Sequence, residues 1–205
     1  MNNLVLETFV LGSLATNSYL IFDKQDKKGF IIDLPPDPLE LKEFIEKENL
    51  DILFCLLTHA HFDHIGGLDL FKNIKVYLHP QDVPFLTDVS LNYSSFLGDP
   101  FVVDRDCCLL NEGDTIAFGN HSIEVIHTPG HTPGGVSVKL GNWLFSGDTI
   151  FCRSIGRTDI PLASTQQILA SIKEKLMKLP EDTIVYPGHG HSTTIGEERR
   201  NNPFL

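Results

Sequence analysis

The sequence predicts an α+β chain of two mixed β-sheets packed together with helices outside. Three observations lead there. Apolar runs of strand length recur in both halves of the 205 residues. Each β-rich half leads into an amphipathic segment opened by a capping signature. No repeat, low-complexity stretch or linker divides the chain, and a 41% hydrophobic content over this length suits one sizeable core, so residues 1–205 read as a single domain.

Taken in order, residues 4–11, 19–22 and 29–33 are the opening strands, alternating or apolar and β-branched. Asp37-Pro38-Leu39-Glu40 then reads as a helix start, with a capping carboxylate, proline at the first helical position and glutamate at the third. Leu41, Phe44 and Ile45 follow at helical spacing. Residues 52–57 are apolar without alternation, the pattern of a strand covered on both faces. A helix is expected over 63–71, running through Gly66 and Gly67, then a strand at 75–78 and a helical turn from Pro80. Residues 87–106 form a long irregular loop holding Tyr93, Phe96 and Phe101, and such loops often carry function. Its aromatics suit either covering a substrate or pinning the loop to the core. Strands follow at 115–118, 122–126, 136–140 and 142–145, separated by glycine and asparagine turns. Ser164-Thr165-Gln166-Gln167 opens a second helix with Ile168, Leu169, Ile172 and Leu176 on one face, and 183–186 is the last strand before a charged terminal helix.

The formal charge of −11 argues against a nucleic-acid partner, which calls for clustered Lys and Arg. The amino terminus has no basic region followed by a long apolar stretch, and no run reaches the roughly 18 apolar residues of a membrane span. No membrane partner is expected, and the location expected is cytoplasmic. The four cysteines show no CxxC spacing, so reduced thiols fit. Cys55, inside an apolar run, reads as a packing residue, whereas Cys152 follows Asp148 closely enough to border a site. No feature of the sequence fixes an oligomeric state.

The chemistry concentrates in Thr58-His59-Ala60-His61-Phe62-Asp63-His64, directly behind the buried strand. Such a density of imidazole and carboxylate suits zinc-like or iron-like ions. His59 and His61 project together while Asp63 and His64 begin the next element, which favours two adjacent metals over one. The same regularity recurs after later strands: residues 123–126 lead to His131, 143–145 to Asp148 and 184–186 to His189. Each is padded by glycine or proline, in Thr128-Pro129-Gly130-His131, Ser146-Gly147-Asp148 and Pro187-Gly188-His189, which permits sharp turns. His79, His121, His127 and His191 lack this context and read as supporting or surface residues, His191 being favoured among them because it follows His189 by two.

THxHxDH at 58–64, GH at 130–131, SGD at 146–148 and PGH at 187–189 resemble the metallo-β-lactamase superfamily over nearly the whole chain, and within it the short single-domain glyoxalase II (hydroxyacylglutathione hydrolase) branch. The resemblance implies an αββα sandwich. It implies that His59, His61 and His131 hold one divalent ion and Asp63, His64 and His189 a second, with Asp148 bridging. It also places a basic residue, here Arg157 of Gly156-Arg157-Thr158-Asp159, against the substrate. Two divalent metals, zinc favoured and iron or manganese compatible, share a hydroxide activated as nucleophile while one polarises a carbonyl. Asp63 is the expected catalytic residue, orienting that nucleophile. A thiol leaving group, with a pKa of about 8.5, suits a site that has no obvious general acid. The expected reaction is hydrolysis of a small-molecule thioester such as S-lactoylglutathione. The runner-up is a persulfide dioxygenase with one iron, which the GRTD segment also resembles.

Overall fold

The computed structural model describes residues 3–97 and 100–205, so Met1 and Asn2 of the terminus and Gly98 and Asp99 of the 87–106 loop lie outside the described residues. The chain divides into two compact units, Met1–Leu78 with Val83–Leu109, and His79–Asp82 with Leu110–Leu205.

The first unit is a six-stranded mixed sheet with helices. β1 (Leu4–Leu11), β2 (Thr16–Asp23) and β3 (Lys28–Ile32) form an antiparallel meander; α1 (Leu39–Glu48) then crosses to β4 (Asp51–Leu56), which pairs parallel with β3. α2 (Phe62–Ile65), β5 (Lys75–Leu78), α3 (Val83–Thr87) and β6 (Cys108–Leu109) complete it, with β4, β5 and β6 parallel. Strands joined through crossovers are covered on both faces, and β2 is buried along nearly its whole length. One face packs Leu20, Phe22, Ile31 and Cys55 against Leu41 and Ile45 of α1. The other stacks Phe30 on Phe54, ring centroids 5.0 Å apart.

α1 does not open as its sequence suggests. Pro38 occupies the N-cap position with no side-chain cap, and Asp37 sits at φ 57°, outside the extended conformation a capping residue adopts. The other end is regular. Asn49, at φ 53°, donates to Glu46 O, and Leu50 donates to Ile45 O, a Schellman closure with asparagine in the left-handed position. The helix expected over 63–71 is also cut short: α2 ends at Ile65 and only a 3₁₀ turn, Leu68–Phe71, follows. The cause is the pair of glycines. A Cβ on Gly66 would lie 2.6 Å from Pro36 Cγ and one on Gly67 2.4 Å from Pro35 O, and the amide of Gly67 donates to Leu34 O at 2.8 Å instead of continuing the helix.

In the second unit β7 (Thr115–Phe118), β8 (His121–His127), β9 (Val136–Leu140) and β10 (Trp143–Gly147) run antiparallel in sequence order. β11 (Ile150–Phe151) and β12 (Ser154–Ile155) form a small hairpin. α4 (Thr165–Glu174) then carries the chain to β13 (Ile184–Pro187), parallel to β10, and β14 (Thr193–Thr194) leads into α5 (Ile195–Asn201). Ser164 Oγ accepts from the Gln167 amide at 3.3 Å, as its sequence predicts, and Ile168 and Ile172 of α4 pack on Ile126, Leu144 and Val185. Glu198 of α5 is buried, accepting from Thr193 Oγ, Arg153 N and Asn202 Nδ2. The fold class is therefore the expected α+β, two mixed sheets with helices. Among the described residues no helix is long and apolar enough to cross a membrane.

Candidate functional site

In the first unit the candidate ligand cluster begins where β4 ends. Leu57 donates to Tyr77 O, the last sheet bond, and Thr58 donates its amide to Asp33 Oδ1 at 2.7 Å. The chain then runs through His59 and His61, the latter at the N-cap of α2, into Asp63 and His64 in its first turn. All four side chains are buried. The ring of His59 lies 4.8 Å from that of His61 and 4.0 Å from that of His64, and His64 Nε2 lies 3.5 Å from Asp63 Oδ2. Asp63 Oδ2 also accepts from Thr16 Oγ at 2.9 Å.

Asp33 organises this cluster from behind, and no sequence pattern singled it out. Its carboxylate, at the end of β3, takes the Thr58 amide, the Thr58 hydroxyl at 2.7 Å and Nδ1 of His64 at 2.8 Å. Nδ1 of His59 is bonded to Thr58 Oγ at 3.1 Å.

The second unit gathers two imidazoles, those of His131 and His189, around Asp148, which follows Gly147 at the end of β10. Asp148 Oδ2 is 3.5 Å from His131 Nε2 and 3.5 Å from His189 Nε2. The turn before His131 needs glycine: Gly130 has φ 143°, donates to Thr132 O, and lies where a Cβ would be 2.3 Å from the Ile168 nitrogen of α4. His131 donates through Nδ1 to Arg157 O at 2.9 Å. Gly188 donates to Gly147 O, tying the His189 turn to the Asp148 turn. Asp82 is another carboxylate that sequence reading missed; fully buried, it accepts from Thr132 Oγ and Gly134 N, both at 2.7 Å, and so fixes the loop after His131.

The donor set fits divalent metals. In His59, His64 and His131 the Nδ1 atom is held by a hydroxyl, a carboxylate or a carbonyl, the kind of outer partner that fixes the tautomer and would leave Nε2 for an ion. The remaining expectations divide. The Arg157 guanidinium forms a two-point pair with Asp159 at 2.8 and 2.9 Å on an exposed surface, and its carbonyl serves His131. His191 is exposed, and His79 stacks face to face on His127 at 4.1 Å, with its pKa lowered to about 4 by burial and then by His127. Cys55 is buried, its thiol raised well above the ordinary value by burial and then by Asp33, as befits a packing residue. Cys152 is exposed in the β11–β12 turn, next to Phe151, whose ring lies 6.1 Å from that of His189.

Buried imidazoles gathered with carboxylates at strand ends, their outer nitrogens tied down, define a metal-dependent enzyme. The chain belongs to the metallo-β-lactamase superfamily, whose family profile matches residues 11–189. It is 40% identical to a probable metallo-hydrolase, YqgX, of Bacillus subtilis, over 95% of this chain and 94% of that one. It is 34% identical to the hydroxyacylglutathione hydrolase GloC of Haemophilus influenzae, over 98% and 97%. With the human mitochondrial persulfide dioxygenase ETHE1 it shares 31% identity over 93% of this chain and 71% of that one. Among solved structures, the BLEG-1 B3 metallo-β-lactamase matches with TM-score 0.92 and 43% identity over 98% and 99% of the two chains. TTHA1623, in a di-iron-bound form, matches with TM-score 0.86 and 38% identity over 97% and 100%. The superfamily and the His/Asp clusters together make this chain a metallo-hydrolase-type metal enzyme.

Proposed function

We propose that the protein hydrolyses a thioester of the hydroxyacylglutathione type, using two divalent metal ions. One observation carries this reading: the first unit buries His59, His61, Asp63 and His64 together, and the second sets His131 Nε2 and His189 Nε2 each 3.5 Å from Asp148 Oδ2, the nitrogen and oxygen donors that divalent ions take. His59, His61 and His131 would hold one ion and Asp63, His64 and His189 the other, with the two oxygens of Asp148 able to serve both. Residues 1–205 act as one domain, a reading supported by a family match that runs through both compact units. Zinc is the favoured occupant of these nitrogen and oxygen ligands, and the di-iron relative makes iron its main competitor. The four free cysteines fit a reducing, cytoplasmic setting.

When bound, two such ions supply a water nucleophile active near neutral pH and polarise the carbonyl it attacks. Asp63 orients that water by accepting a hydrogen bond, its carboxylate held in place by Thr16 Oγ at 2.9 Å. Asp33 keeps His64 directed, and the Arg157 carbonyl does the same for His131. Arg157 takes a substrate carboxylate in the place where Asp159 now pairs with it. A thiol leaves without a general acid, because its pKa of about 8.5 makes the thiolate a competent leaving group. The likeness to the hydroxyacylglutathione hydrolase supports the substrate class.

The test is release of thiol from S-lactoylglutathione by purified, metal-loaded protein, run beside oxygen uptake with glutathione persulfide. Turnover of the first with none of the second is expected. No hydrolysis of any thioester would sink the reading, and oxygen consumption would transfer it to the dioxygenase chemistry of the human relative.

A further inference from the structure

The segment after α3 carries aromatic groups that the proposed reaction does not use. Tyr93 sits at φ 71°, a left-handed conformation that disfavours a bulky side chain. The loop around it is over-determined. Buried Asn92 donates Nδ2 to Phe101 O at 3.0 Å, accepts the Ser94 amide at 2.9 Å, and takes through its carbonyl the amide of Phe62, the residue after His61. Ser94 Oγ bonds both the carbonyl and the amide of Phe101. The Tyr93 ring is thereby held near edge-on to that of His61, 6.3 Å away, and Phe96 stacks on Tyr93 at 4.3 Å. Phe96 is nonetheless 64% exposed. A rigidly supported, strained tyrosine presenting an exposed phenylalanine beside a ligand histidine is a built surface rather than a core contact.

We propose that Tyr93 and Phe96 form an aromatic platform for the apolar part of the substrate's acyl group, giving the enzyme a preference for hydroxyacyl thioesters that carry a ring or a branched chain over small ones such as the lactoyl. This rests on the thioester reading and narrows it. The acyl side is the one assigned because the platform adjoins the ligand cluster where the carbonyl reacts, and because the segment cannot serve the charged arms of a glutathione-like thiol. Asp88, Asp104 and Asp106 are acidic, and Arg105, the one cation between residues 87 and 106, spends its guanidinium on the carbonyls of Leu68, Phe71 and Lys72.

Titration calorimetry of the zinc-loaded chain with S-benzylglutathione and S-methylglutathione tests this. Both are thioethers that resist hydrolysis and set a ring or a methyl where the acyl group sits. The ring should bind about tenfold more tightly, and Phe96→Ala should bring the two within about twofold, with Phe96→Leu between. Equal affinities in the unaltered chain, no binding of either probe, or a preference that survives Phe96→Ala overturns the platform. Thermal denaturation of each variant confirms that it remains folded. Hydrolysis of S-lactoylglutathione is measured separately, so that a ring preference without any thioester turnover upholds the platform and removes only the reaction assigned above.

Discussion

Asp33 Oδ2 lies 2.8 Å from Nδ1 of His64, both groups sealed from solvent, and the same carboxylate reaches a second imidazole at one remove. Because the Thr58 hydroxyl donates to Asp33, it must receive from His59 Nδ1. One aspartate thus sets the proton on Nδ1 of His59 and His64, the histidines proposed as ligands, and leaves each Nε2 a lone pair that a metal could take. Asp33→Asn keeps the size but turns one acceptor into a donor facing Thr58 or His64. Metal affinity is expected to fall about 10–100-fold, read by competition with a chromogenic chelator on protein whose circular dichroism is unchanged. Asp33→Ala should in addition cost on the order of 3–5 kcal/mol in urea unfolding, because three buried donors lose their acceptor. An asparagine variant that holds metal as firmly as the parent would show that the histidines need no such tether.

Asp82 performs a mechanical version of the same task. Its two oxygens hold Thr132 Oγ and Gly134 N, and through them the loop that carries His131. Asp82→Ala removes a fully buried acceptor from two donors, so a loss of about 2–4 kcal/mol is expected in urea denaturation. Occupied with metal, the variant should recover part of that loss, since a ligand bound only by the folded state stabilises it. Recovery is measured as the shift in midpoint on adding zinc.

The proposed ligand set stands out in the sequence because His59 to His64 crowd directly behind an apolar strand and His131, Asp148 and His189 each follow one through a turn that holds glycine or proline. Asp33 and Asp82 escaped that logic. A single buried carboxylate has no periodicity, and only the aspartate closing Phe30-Ile31-Ile32-Asp33 hints that a charge is being carried into the core. Local signals failed where tertiary contacts overrode them: Asp37 has the residue type of a cap without the backbone of one, and Gly66 and Gly67 belong to a close approach with the 34–36 turn rather than to a helix. The two-residue strands β6, β11, β12 and β14 fall below the length at which alternation can be seen.

His79 gives the fold a pH dependence. Burial first, and stacked His127 second, lower its pKa to about 4 from 6.5, while the Gln81 amide donates to Nδ1 at 3.3 Å and favours the neutral ring. The folded state therefore binds this proton less well than the unfolded chain. The contribution to stability is complete above about pH 6.5 and is lost as pH falls from there towards 4. His79→Phe keeps a ring on His127 but no proton to gain. Urea midpoints of the two proteins, compared at steps from pH 7.5 down to about 4.5, should diverge in slope, the parent losing more stability with acid. Parallel curves would mean that His79 is protonated as readily in the folded protein as in the unfolded one.

Gly130 and Gly113 separate backbone strain from steric exclusion. Both have positive φ, 143° and 78°, but a Cβ on Gly130 would lie 2.3 Å from the Ile168 nitrogen and 2.4 Å from its Cα, whereas one on Gly113 meets nothing within 4 Å. The Gly130 carbonyl also accepts from Ser164 at 2.7 Å, the residue that caps α4, so the turn before His131 and the start of that helix are one packed unit. Gly113→Ala should cost only the left-handed conformation, about 1–2 kcal/mol. Gly130→Ala must in addition push α4 off the turn, so at least about 3 kcal/mol is expected, with metal affinity reduced as His131 moves. Guanidinium unfolding of both variants, with metal content measured on whatever remains folded, distinguishes the two effects. A Gly130→Ala protein no less stable than Gly113→Ala would mean that α4 yields freely and that the contact does not hold His131 in place.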